Sequence, residues 1–353
     1  MKKCNKLEVL MAAVLLLALL PAAVWAKGKS DTGTAAPAAQ PAAAAPALSG
    51  KKVIVADANS THHLNLYVAY EKGLFKNRGL EVEIQQTNSG VAAVVGGEAD
   101  IVLNCPTGVI TPIARGQSIT IISQVKIPCT SVLVVPVNSP VKNPGDLKNY
   151  QLAGLSNTCC AVIAIRDALK SQYSTEFELV ALAPGAALAA LEGGAVRGAI
   201  LEEPFVAEAL LLKDAAGNAK YKTIFDGHSD ANSDGKTDPN LAGENPPCRT
   251  INANVAFVKE RLGDAKVFVE AIEEADKLIR ANPIADDIVA IAQKYVPNVS
   301  RQAIVNSNPK LGFQTKLDTV GLKGYADALV NQGTIEKNPG DALFASEFKG
   351  ITW

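Results

Sequence analysis

Cysteine, histidine and carboxylate side chains recur at one kind of place in this chain, just past short apolar runs. Residues 153–165 read AGLSNTCCAVIAI: an apolar run enters Ser156, Asn157 and Thr158, then Cys159 and Cys160, then an apolar stretch with helical spacing. Asn104, Cys105 and Thr107 follow DIVLN, and Cys129 and Thr130 follow SITIISQVKI. Cys248 and Arg249 precede INANVAF, and Asn59, Ser60, Thr61, His62 and His63 follow VIVADA. Glu203, preceded by Glu202, closes VRGAILEEPF. Thiols gathered this way could hold a soft metal or a thiophilic ligand. Helix-opening N–H groups suit an anion or a polar acceptor. A histidine and a carboxylate could exchange hydrogen bonds with an amine-bearing ligand.

Plainer readings stand beside each of these. Ser60 or Thr61 caps a helix, Glu203 is a solvated loop acid, and the cysteines are small buried apolar residues. The expectation for the thiols is packing plus one disulfide, for instance Cys105 to Cys129. Neighbouring Cys159 and Cys160 do not suit a bond to each other. No C-x-x-C spacing occurs, so a metal would need ligands from distant segments.

A second signal is independent of these. HSDANSDGKTDPN fits D-x-N-x-D-G-x-x-D, the first nine positions of an EF-hand-type loop. Asp230, Asn232 and Asp234 would give side-chain oxygens, Lys236 its carbonyl, and Asp238 a direct or water-mediated contact. The twelfth position is Leu241 where such loops carry glutamate; a polar turn-rich loop is the alternative. The expectation is a structural Ca2+ in an insertion at 228–247, with no other cofactor required.

The elements that must position these residues follow from periodicity. Lys2, Lys3 and Lys6 precede an apolar run ending at Pro21, and Val24-Trp25-Ala26 is a small-residue cleavage site. Residues 1–26 therefore read as a secretory signal peptide, which places the protein in the periplasm. Residues 27–50, rich in Ala and Pro, read as a disordered linker. What remains exceeds one compact core, so two lobes are expected: residues 51–135 with 250–353, and 136–249. Strands and helices alternate through 53–125 and again through 132–205, each time an α/β lobe with a mostly parallel sheet. The helical patterns after residue 260 are expected to wrap the first lobe, and the chain to cross between lobes near 132–137 and 251–258. The chain carries a net charge of −1 without a basic run, which argues against nucleic acid or an anionic membrane as partner. Aromatic residues make up 5 %, leaving few stacking platforms, of which Tyr67 and Tyr70 are the best placed.

HLNLYVAYEKGLFKNRGLEVEI (63–84), GGEADIVLN (96–104), IARGQSITIISQ (113–124), VKNPGDLKNYQLAGLS (141–156) and AALAALEGGAVRGAILEEPF (186–205) together resemble one family. It is the periplasmic solute-binding proteins of ABC importers, in the alkanesulfonate, taurine, nitrate and thiamine-pyrimidine branch. The resemblance implies a two-lobe hinged (Venus-flytrap) α/β fold of type II. It implies a monomer that captures a small polar organic ligand, thiamine-pyrimidine-like or sulfonate-like, and delivers it to an ABC permease and ATPase complex. His63 matches a histidine whose ring would meet the ligand; the family's glycine two residues later is Asn65 here, so the pocket floor would differ. Glu203 stands where the family has the acid of a W-E-P-like turn. Three alternatives remain: a cysteine-lined protein for a soft metal or thiophilic ligand, an enzyme resembling the thiamine-pyrimidine synthase of this fold family, and an extracytoplasmic sensor. The signal peptide, and the lack of that enzyme's full cysteine-rich run, weigh against the enzyme.

Overall fold

The computed structural model describes residues 47–125, 132–226 and 247–349. The signal peptide, nearly all of the linker, Cys129, Thr130 and the calcium-loop residues Asp230, Asn232, Asp234, Lys236 and Asp238 lie outside the described residues.

The first half-unit runs β1 (Val53–Asp57), α1 (Leu64–Glu71), β2 (Val82–Gln86), α2 (Gly90–Gly96), β3 (Ile101–Asn104), α3 (Pro106–Ala114) and β4 (Ile119–Val125). The second runs β5 (Val132–Pro136), β6 (Gln151–Gly154), α4 (Cys160–Tyr173), β7 (Glu178–Ala181), α5 (Pro184–Glu192), β8 (Gly198–Leu201), α6 (Phe205–Leu211) and β9 (Tyr221–Asp226). The chain then gives β10 (Arg249–Asn254), α7 (Val255–Glu260), α8 (Leu262–Ala281), α9 (Asp286–Tyr295), α10 (Arg301–Ser307) and α11 (Thr319–Asn331). Valine, isoleucine and leucine fill the strands β1, β3, β4, β5 and β8 because these are covered on both faces and need no polar side. All seven residues of β4 are buried, for example.

The strands form two five-stranded sheets, ordered β2-β1-β3-β10-β4 and β7-β6-β8-β5-β9. The two orders are the same once each lobe's strands are matched. In each, three parallel strands are followed by one antiparallel strand, which is the strand by which the chain enters that sheet after leaving the other. β10 runs antiparallel between β3 and β4, and β5 runs antiparallel between β8 and β9. The fold is a two-lobe α/β structure in which the first sheet is completed by β10, reached only after the chain has built the second.

Three expectations need correction. The boundary at residue 135 falls inside β5, all of which pairs in the second sheet. The return crossing comes before residue 249, because β10 already lies in the first sheet and the helix α7 begins at Val255. The C-terminal helices do not all wrap the first lobe. α8 and α9 cover α1, and α11 lies on α3, but α10 packs on α6 of the second lobe. Ser300, which caps α10, also donates from its amide and hydroxyl to Glu208 of α6. α8 buries Phe268, Val269, Ile272, Ala275 and Ile279 at helical spacing, the pattern of a helix with one face on a core.

Candidate functional site

In each sheet the parallel strands end on the same side, and ligands of such sheets sit beyond those ends. Here the two sets of ends face each other across a cavity of ≈ 470 Å³. Ser60, Thr61 and His63 from the β1–α1 turn line it, with Asn104, Cys105, Thr107 and Gly108 where β3 enters α3. The opposite wall is Ser156, Thr158 and Cys159 before α4, Pro184 and Gly185 opening α5, and Glu202, Glu203 and Phe205 after β8. Arg249 lies at the base.

Three helices therefore open onto one cavity. Pro106 and Pro184 occupy the first turns of α3 and α5, where a missing N–H costs no hydrogen bond. The residues before α3 and α4 are Cys105 and Cys159. Both have extended backbone, and neither side chain makes a capping bond.

The β1–α1 turn is built around Asp57. Its carboxylate accepts from the Tyr67 hydroxyl at 2.7 Å and the Asn59 amide at 3.0 Å, and lies 2.7 Å from His63 Nδ1. Burial pushes this acid up, but His63, Tyr67 and the amide outweigh it and hold the carboxyl below its ordinary value. An ionised Asp57 makes His63 Nδ1 the donor. In the neutral ring Nε2 then carries the lone pair. That nitrogen is buried and has no hydrogen-bond partner, on a ring that lines the cavity. Ser60 caps the short turn by accepting from the His62 amide at 3.2 Å.

The lobes touch through polar contacts at the base. Thr61 donates to the Glu203 carbonyl at 3.3 Å, Thr107 donates to the Thr158 carbonyl, and the Cys160 amide donates to Cys105 Sγ at 3.3 Å. Arg249 donates to Glu202 at 2.9 Å and to Cys248 Sγ at 3.3 Å. Burial pushes the Glu202 carboxyl up to about 7 against the pull of Arg249. His62 lies 3.6 Å from Glu202, and burial, with Arg249 adding to it, holds the imidazole below its ordinary value. The contact is thus made by a neutral ring.

The side chains of Cys105, Cys159, Cys160 and Cys248 converge beneath the cavity. The sulfurs of Cys105, Cys159 and Cys160 lie within 4.8 Å of one another, and the donor atoms of His62, Glu202 and Cys248 form a second such group. Cys160 and Cys248 connect the two, their sulfurs 3.9 Å apart. Burial raises the Cys105 thiol, but hydrogen bonds with Cys159 and Cys160 and the Arg249 charge bring it well below its ordinary value. Its bond with Cys105 drives Cys159 the other way. The expected bridge from Cys105 to Cys129 involves a residue outside the described part.

Of the residues singled out by sequence, Asn59, Ser60, Thr61, His63, Asn104, Cys105, Thr107, Ser156, Thr158, Cys159, Glu203 and Arg249 line the cavity. His62, Cys160 and Cys248 lie buried behind it, and Asn157 accepts from Arg166 at 3.0 Å on the outside. Glu203 is buried, with Lys310 at 2.6 Å on one oxygen and the Ala207 amide at 3.1 Å on the other. Its place is a paired acid, not a solvated one. Tyr67 stacks on Tyr295 at 3.8 Å under α1, away from the cavity. The aromatic ring in the wall is Phe205. Asn65 does not form the pocket floor: it is buried and donates to Asp276 of α8 at 2.9 Å. Glu202, Asn88, Phe205 and the Ala183-Pro184-Gly185 turn were missing from the sequence reading of the site. The strand-end position of the last three-residue turn, following β7, is the signal that could have found it.

The family model described as NMT1/THI5 like matches residues 60–193, a stretch that includes His63, Cys105, Cys159 and Cys160. No curated protein matches the sequence. Among solved structures, the periplasmic aliphatic sulphonate binding protein SsuA from Escherichia coli matches with a TM-score of 0.65 at 17 % identity, covering 81 % of this chain and 89 % of that one. The ligand binding component of an ABC-type import system from Staphylococcus aureus, with zinc bound, matches with 0.67 at 14 %, covering 86 % and 99 %. The periplasmic nitrate-binding protein NrtA from Synechocystis PCC 6803 gives 0.64 at 14 %, covering 84 % and 85 %. At such identities the likeness establishes the two-lobe fold of these binding proteins.

Proposed function

We propose that the chain is the extracytoplasmic solute-binding component of an ABC importer, a binding protein and not an enzyme. It takes a small polar organic molecule into the interlobe cavity and presents it to a permease. The observation that carries this reading is the buried, partnerless Nε2 of His63, facing a cavity walled by helix starts from both lobes. A ligand with an N–H for His63 and an acceptor for the opposite helix starts would contact both lobes at once. Such a ligand favours the closed arrangement, which is what closure requires.

Between the two ligand classes raised by the sequence, charge favours the heteroaromatic amine. The E. coli and Synechocystis structures carry sulphonate and nitrate in their names, and both are anions. Here Arg249 is matched by Glu202, and Glu203 by Lys310. An aminopyrimidine would meet His63 with its N–H and Phe205 with its ring.

The test is native mass spectrometry of protein purified gently from an exporting host, followed by calorimetry with aminopyrimidines, alkanesulfonates and nitrate. The expected result is an organic adduct lost on denaturation, with aminopyrimidine affinity lowered about tenfold by His63→Ala, the value of one good hydrogen bond. Tighter binding of sulfonate or nitrate than of any aminopyrimidine would overturn the ligand class. No organic adduct and no binding from the whole panel would overturn the reading.

A further inference from the structure

We infer that Cys105, Cys159 and Cys160 form a three-thiolate site for a soft monovalent cation of the Cu(I) type, assembled from both lobes. This goes beyond the organic-ligand reading, since it takes a different chemical class on different side chains. The sulfurs already lie within 4.8 Å of one another. Three thiolates around one ion at about 2.3 Å would sit about 4 Å apart. Only small side-chain adjustments separate the two arrangements.

The sequence gives up helix capping at this place. Cys105 and Cys159 hold the N-cap positions of α3 and α4 with extended backbone, where Ser, Thr, Asp or Asn would bond the first turn. The thiols make no such bond, and both side chains instead meet at one point. Packing alone does not call for two polarizable sulfurs at two N-caps on opposite walls.

The choice of ion follows from the donors. Three sulfurs and no hard ligand in the group select a soft ion. The neighbouring group, His62, Glu202 and Cys248, offers a borderline nitrogen and oxygen, but the Arg249 guanidinium lies on Glu202 and Cys248. A cation placed there would touch the guanidinium directly, whereas Cys105 feels the Arg249 charge without a hydrogen bond to it. On binding, the three thiol protons leave to solvent as the metal–sulfur bonds form. Cys105 belongs to the first lobe and Cys159 and Cys160 to the second, so the ion links the lobes and is held only when they are together.

The experiment uses the full chain, reduced, with Cu(I) supplied from a chelator competition and zinc in a parallel titration. The expected result is one Cu(I) per chain, a smaller radius of gyration on binding, and at least tenfold weaker binding in Cys105→Ser and in Cys159→Ser. Serine is a good N-cap, so both variants should fold, which their melting curves check. Cys248→Ser and His63→Ala should keep wild-type Cu(I) affinity, the latter separating this inference from the organic-ligand reading. Cu(I) binding indifferent to Cys105→Ser, no stoichiometric Cu(I), or tighter zinc binding that needs Cys248 would each overturn it.

Discussion

Asp276 offers a sharp test of how the first lobe is held together. It lies on the buried face of α8, fully inaccessible; the Asn65 side-chain amide of α1 donates to one oxygen at 2.9 Å, and the other oxygen has no hydrogen-bond partner among the described residues. Burial pushes its carboxyl from the usual 3.8 up to about 8, with the Asn65 bond opposing. At about 1.4 kcal/mol per pKa unit, that gap is on the order of 5 kcal/mol. The sign follows from proton binding. Between pH 4 and 8 the folded state keeps a proton that the unfolded chain has lost, so stability falls as pH rises through that window and levels off above it. Asp276→Asn keeps the acceptor for Asn65 and removes the titration. Denaturant unfolding from pH 4.5 to 9 should therefore show the variant close to wild type at the acid end and several kcal/mol more stable at pH 9. Wild type and variant running parallel across the whole range would refute the argument, since every other group titrates in both.

Further outcomes can be checked on the same material. Cys105→Ser, measured without metal, should raise stability by about 1 kcal/mol, because serine supplies the cap that the thiol does not; urea midpoints at constant m-value test this. Gly90→Ala should cost about 1–3 kcal/mol, since a Cβ there would meet the Val102 side chain at 2.8 Å and Ala56 at 3.3 Å, wedging α2 off the sheet. The DANSDGKTD stretch, read from sequence alone, should bind Ca2+. A chelator should lower the melting temperature of wild type but not of Asp234→Ala, and equal responses would refute that reading.

Much of the architecture was legible because the α/β alternation is driven by local pattern. Strands such as ITIISQV are apolar throughout, and the helices between them show helical spacing. β9 was not read as a strand. Its residues YKTIFD alternate only briefly before the polar stretch that follows, and its place is fixed by pairing with β5 rather than by its own preference. The helices near the C-terminus misled in one case because an apolar face on α10 says nothing about which lobe it meets. The thiol cluster was half visible: each described cysteine sits beside a strand end, which puts it near the cleft. What no sequence pattern gave was the division of labour among charges. Glu202 with Arg249, Glu203 with Lys310 and Asp57 with His63 are partnerships across 47, 107 and 6 residues. Only the last is close enough in the chain to be guessed.

The late strand β10 also governs the order in which this chain can be built. Thr250 of β10 pairs beside Asn104 of β3, 146 residues earlier. Until β10 has been synthesised, β3 and β4 face an empty slot, and the first sheet has nothing to join them. Pairing at such range makes folding slow, because loop closure must precede the contacts that stabilise it. A ribosome releasing the chain from its N-terminus therefore releases a first lobe that stays incomplete while the second is made. The second lobe carries its five strands, β5 to β9, in one continuous stretch, whereas the first cannot complete its sheet until β10 arrives, so the first lobe is finished last.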